Sequence, residues 1–454
     1  DVLRALGERL EREPDEEASL ADELSRLEHL RPVFEVVAAV SDHYDGVYLV
    51  GGTVRDILLG EPNFDVDIAV EGDAIELARS VAGGLDGRVR PHTKFGTAVV
   101  LYGDAAVRPG RAATSSTGVA TDASAAPRGR IDVVTARTEF YDAPAALPSV
   151  EHATIREDLF RRDFTINAMA ASLKGEDFGR LVDPFHGRRD LEAKTIRVLH
   201  NLSFIDDPTR IFRAIRYESR LGFRMDEHTV RLARGCIEMG LVGDLSSARL
   251  RDELIELLEE GDAGRSILRL AELGAGGAIH PHLAADEEAV ALLERLRELN
   301  ERYETGIPAW RLGLVVLARK LPPDEVYDWL RRLKVQRRDA ERIAAAVTVA
   351  PRILERLRDR PLEPADVVAV ADPYAPDAPV FALALDAAPE LEEYFGSLRN
   401  VRLEVSGADL AALGMGESPE VGEVLAELRR RKLNGQLDGR ESELAAAREL
   451  IGRA

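Results

Sequence analysis

Several things are scarce in this chain of 454 residues, and each shortage excludes a class of protein. It has one cysteine, Cys236, so no disulfide can form within it. No apolar run reaches the roughly 20 residues that a membrane-spanning helix needs, and no secretory signal opens the chain. A lone thiol without an export signal fits the reducing cytoplasm. Aromatic residues are 5% of the total, too few for a surface on which successive nucleic-acid bases stack. The histidines show no metal-ligand spacing, and His280-Pro281-His282 reads as a loop rather than a ligand pair. Positive charge is also short. With 60 Lys and Arg against 81 Asp and Glu the net charge is −21, which argues against a protein coated in nucleic acid. What remains is ordinary, 45% hydrophobic and 31% charged, and the length allows about two to four domains.

The charge is uneven. Residues 152–234 carry 16 basic against 13 acidic side chains, so the rest of the chain holds −24. A local basic surface on an acidic protein fits one RNA bound in one place, although arginine-rich amphipathic helices also occur without RNA.

The most informative stretch is Tyr48 to Ile68. A short apolar strand, Val47 to Val50, leads into the pair Gly51-Gly52. A helix follows to Leu59, stopped by Gly60 and Pro62, and a second strand runs from Asp65 to Val70. Paired glycines between strand and helix let the backbone approach a ligand, with the N–H groups of the first helical turn free to face a phosphate. Arg55 in that turn can reach the same phosphate. Asp65 and Asp67, two apart on a strand, point to one face, and oxygen ligands at that spacing suit Mg²⁺ held between carboxylates and substrate phosphates. A glycine pair alone is usually a turn, and an Asp-x-Asp alone is usually a solvated strand edge. Their order within about 20 residues points to catalysis.

Gly-Gly-x-x-Arg-Asp followed by Asp-x-Asp resembles the nucleotidyltransferase superfamily that includes DNA polymerase β. Arg161-Arg-Asp-Phe-Thr-Ile-Asn-Ala-Met-Ala170 and Asp207-Pro-Thr-Arg-Ile-Phe-Arg-Ala-Ile-Arg216 narrow the resemblance to the tRNA nucleotidyltransferase/poly(A) polymerase family, bacterial type. It is strong from Tyr48 to Phe223 and weaker to the C-terminus.

The resemblance implies an α+β protein: a small mixed-sheet head followed by an all-helical neck, body and tail. The expected divisions are a helical lead-in over 1–36, a head over 37–200, a neck over 201–275, a body over 276–385 and a tail over 386–454. Residues 103–130, rich in Ala, Ser, Thr, Gly and Pro, read as a flexible insertion in the head. Long members of the family carry domains ahead of the head, which suits a chain that opens on Asp1. The implied partners are tRNA, ATP and CTP, with no membrane, and the implied cofactor is a pair of Mg²⁺ ions held by Asp65 and Asp67.

Asp132, on the strand Ile131 to Arg137, is the candidate third metal carboxylate, and its alternative is an edge residue. Residues 138–153 form a loop that family members use near the nucleotide. In the family Arg162, Asp163 and Asn167 sense the ribose 2′-hydroxyl and the phosphates. Gly51, Gly52 and Arg55 are expected at the triphosphate. The connector Asp183 to Leu191 is expected to have no direct chemistry.

Asp206 to Gly222 reads as a helix with Arg210, Arg213, Arg216 and Arg220 on one side and Ile211, Phe212 and Ile215 on another. The basic side is either solvated or a nucleotide and RNA surface. Asp207 and Arg210, three apart at the helix start, can present one carboxylate and one guanidinium to the Watson–Crick edge of cytosine or adenine. The family uses its matching pair as a protein template, and the alternative is a surface ion pair. The family's Glu-Asp-x-x-Arg stands here as Asp206-Asp207-Pro-Thr-Arg210. Near the end, Val405 to Gly416 followed by the helix Pro419 to Lys432 resembles the family's tail, which implies that its glycine turn and basic helix end, Arg429 to Lys432, grip tRNA phosphates.

The expected reaction is template-independent addition of CMP, AMP or both to the 3′ end of tRNA. Poly(A) polymerases share head and neck but carry a Gly-Arg-Arg-Phe-like signature, and the matching region here, Gly87-Arg-Val-Arg-Pro-His-Thr-Lys-Phe-Gly96, lacks it. A degenerate, RNA-binding head would have lost a metal carboxylate, and none is lost.

Overall fold

The computed structural model describes residues 19–61, 65–93, 96–103, 129–140, 149–359, 362–416 and 419–452, so the insertion expected over 103–130 falls almost wholly outside the described residues. The chain divides into two units, residues 1–244 and 245–454.

A seven-stranded mixed sheet is the frame of the first unit. Its strands are β1 (Gly46–Val50), β2 (Asp65–Glu71), β3 (Arg88–His92), β4 (Thr97–Tyr102), β5 (Gly129–Thr135), β8 (Ala170–Ser172) and β9 (Leu181–Val182), in the order β3-β4-β5-β2-β1-β8-β9. β2 and β5 run parallel and every other pair is antiparallel. All five residues of β1 are buried, as a strand covered on both faces requires. β4 and β5 alternate buried and half-buried residues, the period-two pattern of a sheet with one face on the core.

Helix α1 (Ala21–Arg26) and α2 (Arg31–Val40) precede the sheet. α3 (Gly52–Leu59) joins β1 to β2 and ends at Gly60, whose left-handed φ of 70° closes the helix. α4 (Ala74–Gly84) starts at Asp73, whose carboxylate accepts from the N–H groups of Ile75 and Glu76. The fold class is therefore the one expected, and these boundaries fall within a residue or two of those read from the sequence.

The loop expected over 138–153 is in part a ribbon. β6 (Arg137–Phe140) pairs antiparallel with β7 (Ser149–His152), and residues 141–148 lie outside the described residues. After it come α5 (Ile155–Phe160), with a Thr154–Glu157 capping box, and α6 (Gly187–Glu192). Then follow β10 (Thr195–Ile196), α7 (Ser203–Asp206), α8 (Thr209–Leu221), β11 (Arg224–Met225) and α9 (Glu227–Glu238). The single helix expected from Asp206 is thus two helices. Pro208 has no N–H to continue a helix, and Asp207 leaves the helical region at φ −142°, ψ 95°.

The second unit is helical, from Ser247–Glu259 to Gly439–Ile451. Arg311 is buried with its guanidinium ion-paired to Asp339 and Asp377, both at 2.7 Å. The basic end of the helix Pro419–Leu433 makes ion pairs within the protein. Arg429 pairs with Asp372, Arg430 and Arg431 with Glu427, and Lys432 with the buried Glu443, so this basic run is answered by carboxylates of its own unit. No helix among the described residues is long and apolar enough to cross a membrane.

Candidate active site

Gly51 takes φ 68° and ψ −133°, a conformation that L side chains rarely adopt, and a Cβ there would lie 2.6 Å from Nη1 of Arg162. The strand therefore turns into α3 with its backbone bare beneath an arginine. Arg55, one helical turn on, is 5% exposed and gives Nη1 to Asn167 Oδ1 at 2.7 Å and Nε to Asp56 Oδ1 at 2.8 Å.

The opposite wall is the Arg161–Asn167 segment. Asp163 is buried, and its Oδ2 accepts from Nε and Nη2 of Arg213 at 2.9 and 2.7 Å. Its Oδ1 accepts from the Phe164 N–H at 2.8 Å and from Asn167 Nδ2 at 3.0 Å. Asn167 thus meets a cation at its oxygen and a carboxylate at its nitrogen, which fixes the orientation of its amide. Burial alone would push the Asp163 carboxyl up, but the Arg213 guanidinium, the Asn167 hydrogen bond and the more distant Arg210 together hold it below the ordinary carboxylate range.

One residue that the sequence reading passed over, Asp158, and the connector after Asp183 support this wall. Asp158 is fully buried and clamps both neighbouring arginines. Its Oδ1 accepts from Arg161 Nη2 at 2.6 Å, and its Oδ2 from Arg162 Nη2 at 2.9 Å. Burial again opposes the charge, and Arg162 and Arg161 overcome it, so the Asp158 carboxyl also lies below its usual value. The connector after Asp183 acts from behind. Asp183 accepts from the N–H groups of Gly187 and Arg188, and a Cβ on Gly187 would meet Thr165 O at 2.2 Å, so only glycine lets α6 lie this close. Asp190 of that helix accepts from Thr165 Oγ1 at 2.7 Å.

α8 completes the enclosure. Arg210 and Arg216 are 5% and 8% exposed and Arg213 is half-buried, whereas Arg220 is exposed, so the basic side of this helix is solvated only at its far end. Arg210 gives Nη1 to Ser203 Oγ and Nη2 to Arg161 O, both at 2.7 Å, while Asp207 Oδ1 accepts from Thr209 N and Oγ1. Asp206, the shorter stand-in for the family's glutamate, is half-buried, and burial pushes its carboxyl up.

Together these groups enclose a cavity of about 410 Å³. Its lining includes Gly51, Gly52, Arg55, Asp67, Arg162, Asp163, Asn167, Asp207, Arg210 and Arg213 from the sequence reading, together with Arg161 and Tyr217, which that reading did not single out. Arg216 stands behind this wall, against the Tyr217 ring at 6.0 Å. A tyrosine inside an amphipathic helix gives no signal of its own, and Asp158 is recognisable only once its partners are known.

Asp67 stands opposite Asp132 in the parallel register of β2 and β5, so the two side chains share a face on neighbouring strands, and Asp65 stands opposite Arg130. Asp132 is paired with Arg130 through both carboxylate oxygens at 2.9 Å. Among the described residues no group of three or more His, Cys, Asp and Glu side chains converges. The donor set fits Mg²⁺, which takes oxygen ligands and needs only one or two carboxylates when substrate phosphates supply the rest.

The sequence matches the family model for the poly(A) polymerase head domain over residues 47–197, and that for a probable RNA and SrmB-binding site of polymerase A over 222–287. An A-adding tRNA nucleotidyltransferase of Geobacter sulfurreducens is 35% identical over 90% of this chain and 45% of its own length. The chain thus spans about half of that relative. Another, of Halalkalibacterium halodurans, is 31% identical over 89% of this chain and 88% of its own. A Thermotoga maritima CCA-adding enzyme complexed with tRNA superposes with a TM-score of 0.74 at 30% identity, covering 96% of this chain and 98% of that one. The site thus lies in the segment matched by the head model and on α8 just beyond it, and the likeness runs through both units: the chain belongs to the tRNA nucleotidyltransferase/poly(A) polymerase family.

Proposed function

We propose that the protein transfers a nucleoside monophosphate from a nucleoside triphosphate to the 3′-hydroxyl of tRNA, without a template and with release of pyrophosphate. One observation carries this reading. A single cavity joins a glycine turn and Arg55, suited to phosphates, with Asp67, a buried Asp163–Asn167 pair suited to a ribose, and Asp207 with Arg210, suited to a base. The names of the relatives supply tRNA as acceptor.

Gly51 and Gly52 present backbone to the triphosphate while Arg55 and Arg162 neutralise it, so the chain contributes positioning and electrostatics rather than covalent chemistry. Asp163 and Asn167 orient the sugar, with Arg213 keeping Asp163 ionised. Asp207 and Arg210 select the base, and Arg216, against the Tyr217 ring, adds positive charge behind the nucleotide site. Asp65, Asp67 and Asp132 would hold two Mg²⁺ ions, with Asp132 exchanging Arg130 for metal. When bound, the metal lowers the pKa of the attacking hydroxyl and offsets charge developing on the transferred phosphoryl group. The helical second unit would hold the body of the tRNA, and the reaction would take place in the cytoplasm.

ATP is the first substrate, in line with two A-adding relatives. CTP is the second, because cytosine and adenine offer the same donor-beside-acceptor edge to one carboxylate and one guanidinium. Uracil and guanine offer the reverse. Incorporation of each labelled nucleotide into tRNAs ending at the discriminator base, at C and at CC reads both the acceptor and the base. Asp207→Ala should raise UTP and GTP incorporation relative to ATP by about tenfold or more, as loss of one such contact is worth about 1–3 kcal/mol. Unchanged selectivity and rate would remove Asp207 from the base site.

A further inference from the structure

Tyr217 is the aromatic residue of the cavity wall, and three guanidinium groups surround it. Arg55 Cζ lies 5.2 Å from its ring centroid, Arg213 Cζ 5.7 Å and Arg216 Cζ 6.0 Å. Its hydroxyl accepts from Arg213 Nη2 at 3.3 Å, and the ring stands edge-on to Phe164 at 5.9 Å and 89°. The ring is 7% exposed.

The hydrogen bonds run from Arg213 to Asp163, from Asn167 to Asp163, and from Arg55 to Asn167. The Tyr217 ring returns from Arg213 to Arg55 and closes a circuit of five side chains drawn from α3, the Arg161–Asn167 segment and α8. In it, Asn167 and Asp56 hold the edge of the Arg55 guanidinium in its own plane. The Tyr217 ring face, negative at its centre, attracts the same group from 5.2 Å away.

We propose that Tyr217 is the positioning residue for Arg55, setting the tilt at which that guanidinium meets the triphosphate and tying it to the Arg213–Asp163 pair at the sugar. The inference rests on the assignment of Arg55 to the triphosphate made above. The hydroxyl is the lesser part, since Arg213 already has two bonds to Asp163, and the ring face is the greater.

Replacing Tyr217 in the full chain by phenylalanine, by difluorophenylalanine and by pentafluorophenylalanine keeps the shape while draining negative charge from the face. Binding of inorganic tripolyphosphate and of ATP is measured by calorimetry for each. The Phe form should stay within about twofold of the native protein, and tripolyphosphate affinity should fall stepwise to about tenfold weaker at the pentafluoro ring. In kinetics, Tyr217→Leu should raise KM for ATP with little change in kcat. Affinities flat across the series, or a Leu variant that loses kcat and thermal stability with KM unmoved, would overturn the proposal and leave Tyr217 as packing. A native protein that binds neither tripolyphosphate nor ATP would instead overturn the nucleotide assignment of the cavity.

Discussion

Asp67→Ala is expected to lower the rate of nucleotide transfer by about a thousandfold or more while leaving fold and tRNA affinity almost unchanged. Asp67 lines the cavity, and its register partner across the strand pair is Asp132. If it holds the metal, its removal withdraws several kcal/mol of transition-state stabilisation, and each 1.4 kcal/mol or so is a factor of ten. The Asp67 N–H donates to Thr53 Oγ1 of α3 at 3.4 Å, a link that survives in alanine. Stability should therefore move by about 0.5 kcal/mol or less. Single-turnover transfer, tRNA binding and thermal melting, measured side by side, check this. A variant that transfers at the native rate would end the metal assignment of Asp67. One that melts far earlier would make the residue structural.

Asp163→Ala is expected to damage both stability and binding. The carboxylate is buried and answers Arg213, Asn167 and the Phe164 N–H together, so its loss strands a guanidinium and two other donors. Breaking a buried pair from one side costs about 3–5 kcal/mol, which should lower the melting temperature of the first unit by about 10 °C. The circuit through Asn167 to Arg55 opens as well, so KM for nucleotide should rise. The pH dependence has a definite sign. Asp163 and Asp158 titrate below their ordinary range in the folded state. The stability they contribute is complete above the unfolded value of about 3.9 and is lost as pH falls through the folded values. In Asp163→Asn that group no longer titrates, so its acid limb should be shallower than that of the native protein. Acid unfolding followed by tryptophan-independent far-UV signal compares the two, and equal slopes would take Asp163 out of the acid response.

Local rules made much of this architecture legible. A strand, a glycine turn, a helix closed by glycine and a second strand with two aspartates are each specified within a few residues, and the fold follows that order from Gly46 to Glu71. The Arg161–Asn167 segment was legible for a different reason, since charged and amide groups in an apolar run require partners. The identity of those partners was not legible. Asp163 meets Arg213 fifty residues away, and Asn167 meets Arg55 at a separation of 112. For the same reason Tyr217 and Asp158 went unnoticed.

Periodicity located two basic helix sides without their partners. On α8 the arginines at three-residue spacing marked the side that meets the cavity, which Arg210 and Arg213 line, but not that Arg210 gives its guanidinium to Ser203 and the Arg161 carbonyl. At the end of Pro419–Leu433 the basic run was equally legible, but the carboxylates with which it pairs, from Asp372 to Glu443, were not. Pattern reports which side chains share a side of a helix. It does not report what packs against that side.

The most direct measurement offers the intact protein a tRNA ending in CC, with Mg²⁺ and ATP labelled in parallel at the α- or the γ-phosphate. Transfer of a nucleoside monophosphate from this cavity predicts that α-label enters the tRNA 3′ end, while γ-label leaves as pyrophosphate, and that Asp67→Ala stops both. Label reaching the RNA from the γ-position, or reaching it from neither, would contradict the account.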